Sequence, residues 1–122
     1  MSRRSTGPDA ATVDAVMERD GGCILCSQQR GCQIHHRQPR QMGGTKDPAI
    51  NSPSNLIVLC GDCHRRVESH RADAEAHGWI VRRPYIPSHE PILRRGVWVY
   101  LLDDGEVSET EPLFIQTGES NV

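Results

Sequence analysis

The chain has 122 residues, 36% of them hydrophobic and only 4% aromatic, and a formal charge of −2. That length fits one domain, and so few large side chains exclude a fold held by apolar burial alone, which turns attention to metals or disulfides as staples. The charge is lopsided: residues 103–122 hold six acidic and no basic residues, so residues 1–102 carry fourteen basic against ten acidic, a formal +4, with Lys46 the only lysine. An arginine-rich body of that kind is a mild pointer to nucleic acid and is equally compatible with a solvated charged surface.

In chain order, residues 1–8 read as a disordered start. The segment PDAATVDAVMERDGG reads as a helix with Pro8 and Asp9 at its start, Val13, Val16 and Met17 on one face, and the Gly21–Gly22 pair as its stop. CILC follows as a tight turn, and CQIHH as a short strand. RQPRQMGGTKDPAINSPSN is a long loop of the kind that carries function in compact domains, with Gly43–Gly44 as a turn or a close approach to a partner. LIVLC is apolar and β-branched, hence a buried strand, and GDC is a second turn. HRRVESHRADAEAHG reads as one helix ended by Gly78, WIVRRPYIP as extended chain, and GVWVYLLDDGEVSE as a hairpin. Residues 9–111 are thus expected to form a single α+β domain, with an N-terminal helix, a ββα core at about 32–77 and a C-terminal β-hairpin, and residues 112–122 an acidic tail. No run approaches the roughly 20 apolar residues of a membrane span, and the opening residues lack the apolar heart of a secretory signal, so no membrane partner and a cytoplasmic setting are expected.

In such a setting thiols stay reduced, and paired Cys-x-x-Cys motifs hold metal more often than they form disulfides. Cys23 and Cys26 make one knuckle and Cys60 and Cys63 another, 33 residues apart. Two knuckles can close a tetrahedral thiolate site, the usual holder of structural Zn2+, and metal-binding free energy then becomes folding free energy. Cys32 is left over and reads as a small buried hydrophobe on the strand.

His35 and His36 are adjacent on a predicted strand, where neighbours point to opposite faces, so they cannot easily share one job. His64 directly follows Cys63, so the second knuckle fixes its place, and Asn55 stands just before LIVLC. Strand, loop, strand and helix in that order make a ββα unit with a metal staple at its base. Glu68, four residues after His64, shares its helix face and is weighed evenly as a metal ligand or an exposed carboxylate. His70, His77 and His89 read as ordinary surface or packing histidines. Arg37 and Arg40 flank the histidine pair, and Arg65, Arg66 and Arg71 decorate the helix, where arginines commonly meet phosphates.

CILC, IHHRQPRQMGG, NSPSNLIVLCGDCHRRVESHR and GWIV together resemble the HNH endonuclease family (ββα-metal, or His-Me finger), in particular its small bacteriophage members; the likeness spans about Gly22 to Val81, and GVWVYLLDDG is similar to their usual ending. The resemblance implies a metal-dependent DNA endonuclease of low sequence specificity. It makes His36 the general base and Asn55 its orienter, and His35 and His64, with Glu68 as a third candidate, ligands of a catalytic Mg2+, Mn2+ or Ni2+. DNA contacts are expected from Arg37, Arg40, Arg65 and Arg66, and the phage likeness suggests packaging proteins as partners. The chemistry agrees: hydrolysis needs a deprotonated water and positive charge against the phosphate, and an imidazole with a pKa of about 6.5 can take that proton at neutral pH. Adjacent histidines then need a strand end or a local distortion, so that one turns to the metal and the other to the water. Two other readings remain: a non-catalytic zinc-stapled nucleic-acid-binding module, which needs only the cysteines and arginines, and a thiol redox protein.

Overall fold

The computed structural model describes residues 7–39 and 48–115. The expectations for the first six residues, for Arg40 and Gly43–Gly44, and for the tail beyond Ile115 lie outside the described residues. Helix α1 (Ala10–Asp20) starts on Asp9, whose side chain accepts from the Thr12 amide at 2.8 Å, and stops at Gly21, whose φ of 65° continues the chain in the left-handed region. The two short strands are β1 (Cys32–His36) and β2 (Leu56–Cys60), antiparallel, with Cys32 opposite Cys60 and His36 opposite Leu56. The loop between them is not wholly irregular: Pro48–Asn51 and Pro53–Asn55 are single 3-10 turns, each opened by a proline.

All five β2 residues are buried, because the strand is covered on both faces. Leu56 and Val58 pack on Val16 of α1, while Ile57 and Leu59 join the main core. Val16 thus carries the buried face of α1 with Asp20, and Met17, expected beside it, is exposed.

Two helices replace the single one expected after β2. Helix α2 (Gly61–Ser69) begins at Gly61, so Gly-Asp-Cys is its first turn and not a separate one. Helix α3 (Arg71–Ala76) follows a break at His70, whose φ of −126° and ψ of 65° leave the helical region. Gly78 then turns the chain at φ 80°, and a Cβ there would lie 2.1 Å from the Pro91 carbonyl oxygen, so only glycine fits. The expected hairpin is present as β4 (Val97–Leu101) and β5 (Val107–Ser108), and β3 (Ile92–Arg94), unforeseen, extends it to three antiparallel strands in the order β3-β4-β5. Ile92, Val99 and Leu101 bring that sheet into the same core as α2 and β2. The mixed helix and sheet architecture with a ββα unit is the expected fold class.

Arg37 overturns its assignment to DNA. It is fully buried, and its guanidinium donates to four carbonyl oxygens: Gly78 (2.8 Å), Ser54 (2.8 Å), Pro87 (3.0 Å) and Glu90 (2.9 Å). Four hydrogen bonds from one guanidinium thus tie three chain segments together. Burial pulls its pKa down to about 9, still leaving it charged at neutral pH. Arg37→Met removes these four hydrogen bonds and is expected to lower stability by about 3–5 kcal/mol, and Arg37→Lys to recover little because one ammonium cannot span them. Urea unfolding checks this; a midpoint like that of the wild type would refute it.

Candidate active site and metal clamp

The local chain geometry places two side-chain clusters. In the first, the sulfurs of Cys23, Cys26, Cys60 and Cys63 lie within 4.8 Å of one another. All four are free thiols, and the Cys26 and Cys60 sulfurs are 3.7 Å apart, far beyond a disulfide bond. A tetrahedron with Zn–S bonds of about 2.3 Å has an edge of about 3.8 Å, so that pair already stands at the spacing of zinc thiolates. Electrostatics favour a cation as well. Burial pushes the Cys63 thiol up, and the sulfurs of Cys60 and Cys23 add to the effect. For Cys23, burial also acts upward, yet the backbone amides of Cys60, Cys26 and Leu25 outweigh it and bring the thiol down to about 7. One thiolate is ready to form and its neighbours resist, a conflict that a divalent cation removes. The clamp also starts α2: Cys60 caps the helix, its sulfur accepting from the Cys63 amide at 3.5 Å. Cys32 stands apart, its thiol donating to the Gln28 carbonyl at 3.0 Å.

The second cluster lies where β1 ends against α2. His35, His36, His64, Glu68 and Arg71 line one cleft of about 280 Å³. His35 is buried, its ring edge-on to that of His64 with centroids 5.1 Å apart, and burial first, the His64 charge second, lower its pKa to about 4. Its Nε2–H donates to the Trp79 carbonyl at 3.2 Å, which leaves the Nδ1 lone pair free. His64 donates Nδ1–H to Gln33 Oε1 at 2.9 Å, and its Nε2 faces Glu68 Oε2 at 3.2 Å. With Nδ1 committed, two lone pairs would confront each other there unless a proton or a metal ion stands between them. Ligand atoms of His35, His64 and Glu68 all fall within 4.8 Å of one another, a donor set of two imidazoles and a carboxylate that suits a divalent ion. His70, at the helix break, lines a separate hollow with Arg66 and Asp73.

His36 is the last residue of β1, so a strand end lets the two adjacent histidines share one cleft. Asn55 does not do what was expected of it. Among the described residues its buried side chain accepts from the Gln38 amide at 2.7 Å and donates to the carbonyls of Gln38 (3.1 Å) and Ile50 (2.9 Å), and not to His36. The partner of His36 is Asn51, whose Oδ1 lies 2.9 Å from Nε2. Gln33 and Asn51 were missed because a carboxamide in a sequence carries no sign of what it will face. Of the arginines expected on DNA, Arg65 and Arg66 are exposed on α2, with Arg65 paired to Asp62; Arg71, which was not among them, lines the cleft itself.

Residues 23–70 match the family model described as HNH endonuclease. No curated protein and no solved structure matches the chain. The matched stretch, 48 of the 122 residues, runs from the first cysteine knuckle to the helix break and contains the four clamp cysteines, His35, His36, His64 and Glu68. No helix among the described residues is long and apolar enough to cross a membrane.

Zinc in thiolate sites of this kind is worth about 10–16 kcal/mol at neutral pH, more than a small domain's whole stability. Cys60→Ser is therefore expected to lose bound zinc and the cooperative thermal transition together, whereas Cys32→Ser keeps both. Elemental analysis alongside circular dichroism reads the two effects, and a folded, zinc-free Cys60→Ser would remove the clamp's structural role.

Proposed function

We propose that the cleft is the active site of a DNA endonuclease that hydrolyses phosphodiester bonds with little sequence preference, with His36 as general base. The observation that carries this reading is the placement of His36 in one cleft with the His35–His64–Glu68 donor set, in a stretch that matches the HNH family. His36 takes a proton from water as the water oxygen bonds to phosphorus. The bond to the 3′ oxygen breaks, that oxygen takes a proton from solvent water, and the products are a 5′-phosphate and a 3′-hydroxyl; His36 returns its proton to solvent. His35, His64 and Glu68 hold a divalent ion, Mg2+, Mn2+ or Ni2+, which when bound supplies positive charge against the scissile phosphate and the leaving oxygen. Neutral His35 needs no deprotonation before it ligates. Arg71 at the cleft and Arg65 and Arg66 on α2 take backbone phosphates, and contacts confined to phosphates carry no base information, hence the low specificity. Zn2+ in the cysteine clamp is structural. DNA is the only partner this reading requires; packaging proteins are not part of it.

Supercoiled plasmid incubated with each of the three ions, with EDTA as control, tests the proposal. Wild type is expected to nick. His36→Ala is expected to lose about 10²- to 10⁴-fold in rate at an unchanged thermal midpoint, and Arg65→Ala to retain reduced nicking. Absence of cleavage with every ion, from folded protein that still binds DNA, would leave the non-catalytic binding module instead.

A further inference from the structure

We infer that Asn51 is the positioning residue that sets the working tautomer of His36, and that Asn55 braces the base and its acceptor through the main chain on either side. The inference rests on the reading of His36 as general base and adds which ring nitrogen does the work. A carboxamide oxygen can only accept, so the 2.9 Å contact from His36 Nε2 to Asn51 Oδ1 places the ring proton on Nε2. Nδ1 then carries the lone pair, and it is the atom left to receive a proton from water. A ring with no such acceptor would divide between two tautomers and swing about its side-chain torsions, and only one of those states presents Nδ1 to the cleft.

The loop is built to hold that oxygen in place. Asn51 closes the 3-10 turn Pro48–Asn51, and the Ser52 amide donates back to the Ala49 carbonyl at 3.0 Å. The carbonyl just before it, Ile50, is gripped by Asn55 Nδ2 at 2.9 Å. The same Asn55 side chain holds both the amide and the carbonyl of Gln38, two residues past His36. One buried amide thus pins the chain after the base to the turn that carries its acceptor. The Asn55 backbone carbonyl, accepting from the Arg37 amide at 2.8 Å, closes the same brace. His35 and His64 are treated alike, each giving one ring N–H to a neutral oxygen of Trp79 or Gln33, so the cleft uses this device at all three imidazoles.

Long-range ¹⁵N–¹H spectra of the zinc-loaded protein, recorded over a series of pH values, read the tautomer directly. Wild-type His36 is expected to be protonated on Nε2, Asn51→Leu to shift toward a mixture or the Nδ1–H form, and Asn51→Asp, which keeps an acceptor oxygen, to restore Nε2–H. In plasmid nicking, Asn51→Leu is expected to lose about 10- to 100-fold in kcat with KM for DNA, divalent-ion affinity and thermal midpoint unchanged. Wild-type His36 protonated on Nδ1 would overturn the inference, as would Asn51→Leu with an unaltered tautomer and wild-type kcat. If wild type cleaves nothing, the nuclease reading fails, while the spectra still decide whether Asn51 fixes the ring.

Discussion

Four sulfur atoms within 4.8 Å of one another join a turn at residue 23 to a helix start at residue 61, and the rest of the molecule is arranged around that junction. Cys60 ends β2 and caps α2, so the clamp decides where the helix begins, and His64 follows in its first turn. The antiparallel register of β1 on β2 then decides where β1 ends. Because His36 sits opposite Leu56, the strand stops at the mouth of the cleft and not inside the sheet. The two constraints together bring a histidine of α2 within ring contact of a histidine of β1.

The shortage of large apolar side chains is met a second way, by arginine. Arg37 ties four carbonyls from separate loops. Arg19 pairs with buried Asp20 at 2.7 Å and donates to the carbonyls of Pro53 and Leu56, and Arg94 and Arg95 donate to those of Arg19, Cys23 and Asp20. These side chains close gaps between loops and add donors to main-chain carbonyls there. The arginine-rich body, a mild pointer to nucleic acid in the sequence, is thus partly internal scaffolding, while Arg65, Arg66 and Arg71 are exposed on the helices beside the cleft.

That division explains what could be read from the sequence and what could not. Both strands of the ββα unit and both knuckles were legible to the residue, because they rest on local properties: β-branched runs, alternating faces, and the fixed spacing of Cys-x-x-Cys. The break at His70 was not, since a helix-period pattern continues across it, and neither was β3, three residues that pair only because β4 lies beside them. Arg37 looked like a phosphate ligand because a guanidinium that will face carbonyls and one that will face phosphates are the same letter. Asn55 was legible as an important residue of the site, but its partners are main-chain groups, which no sequence displays.

The question raised by two adjacent imidazoles has a physical answer in their different burial. His35 is enclosed, and desolvation removes its ability to hold a proton until the pH falls to about 4. Since a ligand imidazole must be neutral, protons compete poorly for that position anywhere near neutrality, and the ring stays open to a cation. His36, one residue on, leaves the strand, reaches the cleft half-exposed, and gives one nitrogen to a neutral carboxamide and not to a carboxylate. A carboxylate partner would favour the charged ring and hold the proton it accepts; a carboxamide aligns the ring with little such bias. One histidine is thereby enclosed and its neighbour half-exposed on a neutral partner, and the end of a single five-residue strand is enough to separate the two.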